Sequence, residues 1–215
     1  FVVAVIVTIF IGMIRLFKKS VPLYFSLHVC GVWCFAIGLI YDVLMIVCGE
    51  TYNEVCSLDS LAVAGMFVFF ASASYGTFDS IVDDRSKKNR PIRAISLFAA
   101  LLTVAVCILE LIYMKDTKGL STLSIILFSL EKIPMPFCVY FSVKFLLMKN
   151  RGDQMLKSIK PLNICTLLAC CGLLLYYFFD ILDNDAGINI SYYIYAISIV
   201  AEIFLADWGR KKWQS

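Results

Sequence analysis

RSKKNRPIRAISLFAALLTVAVCILELIYM, residues 85–114, is the stretch whose reading decides the fold. It opens with five basic residues, Arg85, Lys87, Lys88, Arg90 and Arg93. No further charge follows until Glu110. A run of about 20 apolar residues is what a helix needs to cross a hydrocarbon core of about 30 Å. A basic cluster against such a run is the mark of a cytoplasmic helix end.

Working outward, the same grammar repeats. Apolar stretches cover residues 1–17, 22–48, 58–82, 92–114, 121–148, 161–182 and 188–206. Strands of about 10 alternating residues, the alternative that closes its backbone in lipid, are absent. The chain is 61% hydrophobic and 16% charged, where a soluble domain would carry about 25% charged residues. The expected fold is therefore all-α: a polytopic membrane protein of seven transmembrane helices forming one domain over residues 1–215.

Basic residues set the orientation. Arg15, Lys18 and Lys19 follow the first stretch, and the five named above follow the third. Lys149, Arg151, Lys157 and Lys160 follow the fifth, and Arg210, Lys211 and Lys212 follow the seventh. Between the fourth and fifth stretches there are only Lys115 and Lys118. The remaining loops carry Glu50, Glu54, Asp59, Asp183 and Asp185. Fifteen basic residues against two, on alternate loops, predict an N-out, C-in protein. Because the basic loops alternate in phase with the helices, they read as a topology signal and not as a nucleic-acid surface. The expected location is the plasma membrane, with the N-terminus outside. The first stretch starts at Phe1 and meets Arg15 early, so upstream residues are expected to complete it.

An internal repeat is expected from aligned residues. One offset pairs Lys19-Ser20-Val21 with Lys157-Ser158-Ile159 and Tyr41-Asp42-Val43-Leu44 with Phe179-Asp180-Ile181-Leu182. A second offset pairs Asp79 with Glu202, Asp84 with Asp207, Lys87 with Arg210 and Lys88 with Lys211. Stretches 1–3 and 5–7 would then be parallel repeats joined by stretch 4, and transporters place their sites between such repeats. This 3+1+3 plan resembles that of the SWEET and PQ-loop seven-helix families, without their Pro-Gln signature. The first stretch has no Pro, and neither Pro134 nor Pro136 precedes a Gln.

Ionisable residues inside apolar stretches are costly and mark candidate sites. Glu131 and Lys132 lie deepest, followed by Pro134 and Pro136, which leave the Leu130 and Lys132 carbonyls without helical donors. Neighbours on a helix point about 100° apart, so Lys132 needs an acid from another helix. Asp42, Glu110 and Asp180 are the candidates, and with Glu131 and Lys132 they form the expected substrate-binding set.

Asp79 and Asp83 stand one turn apart and could share Mg²⁺. Residues 83–96, with Asp83-Asp84 followed by Asn89-Arg90-Pro91-Ile92, resemble the Asp-rich motif of UbiA-type prenyltransferases. Asp180-Ile181-Leu182-Asp183 is similar to their second motif, but the seven-helix reading puts the two on opposite faces. Cys48 and Cys56 could close a disulfide across the loop between stretches two and three. His28 is the single histidine, and Cys30, Cys34, Cys170 and Cys171 read as packing residues. Phosphate loops and nucleophile elbows are absent, so no cofactor and no enzyme are expected. The expected function is a small-solute transporter or facilitator with a polar site between the repeats. The alternative is a seven-helix receptor or sensor input domain. A third, more distant reading is a Mg-dependent prenyltransferase-like enzyme. The expected partners are the lipid bilayer and a small polar solute, with homo-oligomer formation left open.

Overall fold

The structure, a computed structural model, describes Ile6, Ile9, Phe10, Ile14 and residues 21–48, 58–77, 79, 83, 86–118, 122–148 and 154–214. Cys56, Asp84 and the basic residues Arg15, Lys18, Lys19, Arg85, Lys149 and Arg151 lie outside the described residues, as do Glu50 and Glu54.

Every described element is helical. The helices are α1 Leu23–Cys48, α2 Leu58–Thr77, α3 Arg90–Lys118, α4 Thr122–Lys132, α5 Met135–Leu147, α6 Gln154–Ile181 and α7 Asp185–Gln214, with a 3₁₀ turn Lys87–Asn89 before α3. Five spans are long and apolar enough to cross a membrane: Leu23–Cys48, Lys87–Asp116, Ser124–Leu147, Leu156–Ile181 and Asp185–Lys212. The apolar part of α2, Asp59–Tyr75, is shorter. The first apolar stretch is described at only four positions, all helical.

Three boundaries differ from the hydropathy reading, each for a physical reason. The fifth stretch is broken into α4 and α5. Pro134 has no N–H for the Leu130 carbonyl, so the ladder stops at Ile133 N–H to Ser129 O, 3.0 Å, and resumes with Cys138 N–H to Pro134 O, 3.2 Å. Helix α6 begins at Gln154, ahead of the apolar window, and continues through Pro161. Helix α7 runs on through Arg210, Lys211 and Lys212. Hydropathy finds the lipid-facing window, whereas Lys, Arg and Gln are good helix formers and extend the helix beyond it.

Helices α6 and α7 form a tight hairpin. Asp183 adopts φ 50°, the left-handed position that ends a helix. Asn184 N–H donates to Phe179 O at 3.0 Å and Asp183 N–H to Asp180 O at 3.3 Å, the two bonds of a Schellman end. The Asn184 side chain then caps α7, its Oδ1 accepting from Gly187 N–H at 3.1 Å. Gly172 lets the helices touch: a Cβ there would stand 2.8 Å from the Tyr195 backbone nitrogen. Small residues at such contacts are how helices associate when lipid is as apolar as their side chains.

Apart from α3, the helices close a ring in chain order: α1 packs on α2, α2 on α4 and α5, α5 on α6, α6 on α7, and α7 on α1. Helix α3 lies against α5, with smaller contacts to α6 and α4. Its far face presents Phe98, 70% exposed, with Leu102, Leu109 and Ile112. Such a face is compatible with a helix that meets lipid. The aromatic and aliphatic core between α1, α2, α5, α6 and α7 includes Phe25, Phe67, Phe70, Phe145, Ile159 and Ile199. The 3+1+3 repeat remains an alignment of residues and is taken up with the function below.

Candidate functional site

Three polar clusters interrupt this apolar interior. The first forms where α1 ends, α2 begins, α4 runs alongside, α6 ends and α7 begins. A cavity of about 440 Å³ opens there. Asp42 from α1, Asp59 from α2, Glu131 from α4 and Asp180 from α6 line it. Its aromatic wall is Tyr176 and Tyr177 from α6 with Tyr192 and Tyr195 from α7. Glu131 is 1% exposed, and both its oxygens accept from the Tyr177 hydroxyl, at 3.0 and 3.1 Å.

Lys132 goes elsewhere. One residue past Glu131, it turns about 100° around α4 and faces α3. Its Nζ meets Glu110 Oε2 at 3.2 Å, with both side chains almost fully buried. The same Nζ lies 3.7 Å from the Tyr177 ring centroid and 4.9 Å from that of Phe128. Such cation–π contacts are worth about 2 kcal/mol when desolvated. Tyr177 thus holds the acid with its hydroxyl and the base with its ring face. Lys132 borders a separate apolar groove of about 580 Å³ between α3 and α4–α5. Of the five site residues expected from sequence, Asp42, Glu131 and Asp180 share the cavity wall, while Lys132 and Glu110 pair beside it.

The second cluster closes the opposite end of the bundle. Lys144 on α5, 2% exposed, reaches Asp79 and, at 2.7 Å, Asp83 Oδ2. Arg93 Nη1 donates to Asp83 Oδ1 at 2.9 Å and its Nη2 to Ser86 O at 3.0 Å. The two carboxylates considered for Mg²⁺ are therefore bridged by the Lys144 ammonium. Among the described residues no group of three or more His, Cys, Asp or Glu converges on a metal-sized point. Cys48 is exposed at the end of α1, but its expected disulfide partner Cys56 lies outside the described residues.

The third cluster is buried between α1, α6 and α7. His28 Nδ1 meets Glu202 Oε2 at 2.6 Å, and the Thr166 hydroxyl donates to Glu202 Oε1 at 2.7 Å. His28 stacks on Phe70, with centroids 4.9 Å apart, and lies 4.6 Å from Tyr24. Asn163 Nδ2 donates to Ile159 O at 2.9 Å and, more weakly, to the Tyr24 hydroxyl at 3.4 Å.

Sequence reasoning did not reach several of these residues. Lys144 was hidden in an apolar stretch, and Asp59 read as a loop acid. The tyrosines carry no charge to flag them. Two signals were available: a single histidine amid apolar residues, and Tyr176-Tyr177 and Tyr192-Tyr193 on opposite sides of one short turn. Comparison with known protein families, with curated proteins and with solved structures finds no match.

Proposed function

We propose that this membrane protein is a transporter or facilitator for a small polar solute. The observation carrying this reading is the cavity of about 440 Å³ walled by Asp42, Glu131 and Asp180 inside an otherwise apolar helix bundle. Carboxylates are expensive there unless they are used. Asp42 and Asp180, the residues matched by the aligned repeat, both line the cavity. That supports a site between two related three-helix units, with α3 as the linker. The freed carbonyls at the α4–α5 break add polar backbone close to the site, a feature of discontinuous transporter helices. In the N-out, C-in orientation the cavity faces outside, in the plasma membrane, and lipid is the protein's main partner.

A receptor or sensor input domain is the second reading, favoured by one observation. The cavity sits at one end only, while Lys144 and Arg93 tie the acids at the other. A receptor needs an accessible ligand site and no path through.

Uptake of labelled small polar solutes into proteoliposomes tests both readings. Asp180→Asn should abolish uptake while the protein stays folded. Replacing Lys132 and Glu110 together by Met should leave uptake in place, because the pair lies outside the cavity. Saturable binding without any flux would favour the receptor. Full uptake by Asp180→Asn would remove the cavity from the path.

A further inference from the structure

We propose that the cavity between α1, α2, α4, α6 and α7 binds an organic amine in its cationic form. This rests on the cavity being the solute site and names the solute's chemical class.

The sign of the walls comes first. Four carboxylates line the space, and among the described residues no Lys, Arg or His does. The nearest buried cation, Lys132, is held by Glu110 and by the outer face of the Tyr177 ring. Asp42, Asp59 and Asp180 have contacts of their own, and an incoming cation would share them. An anion entering here would meet like charge in a medium that screens poorly, whereas a cation is drawn in.

An independent observation points to a ligand. Tyr195 lines the cavity, is 4% exposed, and its hydroxyl has no hydrogen-bond partner among the described residues. That hydroxyl sits in the field of Glu131 and Asp59. A buried hydroxyl without a partner is costly to leave unmade, and an N–H donor in the cavity would satisfy it. The Tyr195 ring packs edge-on to Phe35 at 5.4 Å, and the Tyr195 backbone lies close against Gly172.

The shape of the charge then separates organic from inorganic cations. The described carboxylates do not converge on a metal-sized point. They are spread over four helices around a space large enough for a short carbon chain. Tyrosine faces suit the stem and head of an alkylammonium, combining apolar contact with cation–π attraction. A compact divalent ion would use neither.

The test uses three probes of similar length and different charge on the purified full chain in detergent: 1,5-diaminopentane, 1,5-pentanediol and glutarate. Thermal unfolding is followed against probe concentration, since a ligand bound to the folded state raises the transition temperature saturably. The diamine alone should do so. Asp42→Asn and Tyr195→Phe should each weaken it by roughly tenfold or more; two variants are used in case one fails to fold. If the diol or glutarate stabilises equally well and the same variants abolish the effect, the cavity is a solute site but the cation assignment is wrong. If the diamine stabilises equally in both folded variants, it binds elsewhere and both the assignment and the site fall. Stabilisation by none of the three overturns the amine proposal. Uptake of other solutes that still depends on Asp180 would then leave the transporter reading standing.

Discussion

Glu131 and Lys132 are adjacent in sequence and separate in role. A helix turns about 100° per residue, so one carboxylate faces the cavity and one ammonium faces α3. Tyr177 makes the division workable by offering a hydroxyl to one and a ring to the other. His28 and Glu202 show the same economy without a cavity. Their contact is buried, with the Thr166 hydroxyl on the second carboxylate oxygen. Removing one member strands the others. Glu202→Leu should therefore destabilise the protein by about 1–3 kcal/mol, the cost of leaving a buried polar group without its partner. Adding His28→Leu should recover part of that loss. The check is chemical or thermal unfolding of both variants in the same detergent. A Glu202→Leu protein as stable as the parent would show that this cluster contributes no net stability.

Helix ends decide where the polar residues meet. The α4–α5 break lies directly after Lys132, so Pro134 re-aims the chain just past the two charges. The α6–α7 turn is also short, with Asp183 in the left-handed region and Asn184 serving both helices. This turn holds Tyr176 and Tyr177 opposite Tyr192 and Tyr195, and the close approach at Gly172 sets their spacing. A methyl at Gly172 would stand 2.8 Å from the Tyr195 backbone nitrogen and 3.0 Å from its Cα. Backbone atoms cannot rotate aside, so the helices must part. Gly172→Ala should cost about 1–3 kcal/mol, the range for overpacking, and should also weaken ligand binding through Tyr195. Unfolding and binding measured on one preparation test this. Unchanged values for both would mean that the helices separate freely.

At the scale of the molecule, the outer faces, above all that of α3, are apolar and suited to lipid. A ring of helices with polar clusters at its two ends and in its interior gives the protein two chemically different faces. The acidic, tyrosine-lined cavity belongs to one and the Lys144–Asp79–Asp83–Arg93 cluster to the other. The uneven distribution of Lys and Arg predicts that the acidic face is outside. With native cysteines replaced, a cysteine at Asn184 should react with an impermeant thiol reagent in intact cells. A cysteine at Asn89 should react only after lysis. The opposite pattern would invert the protein and turn the cavity toward the cytoplasm.

The sequence by itself determined the helical class and the apolar character of the helices. Burying backbone polar groups in lipid leaves a chain of these apolar stretches no other regular structure, and that constraint acts locally. It also marked Asp42, Glu131 and Asp180, because charge in an apolar stretch is conspicuous wherever the stretch is placed. Only the tertiary structure decided which charges share a space. It set Lys132 against Glu110, Lys144 between Asp79 and Asp83, and His28 against Glu202, pairings that join residues far apart in the chain. It also brought uncharged tyrosines to the cavity wall. Such partners depend on how helices rotate and cross. Those angles are set by Gly172, the Pro134 break and the Asp183 turn acting together, and no hydropathy pattern records them.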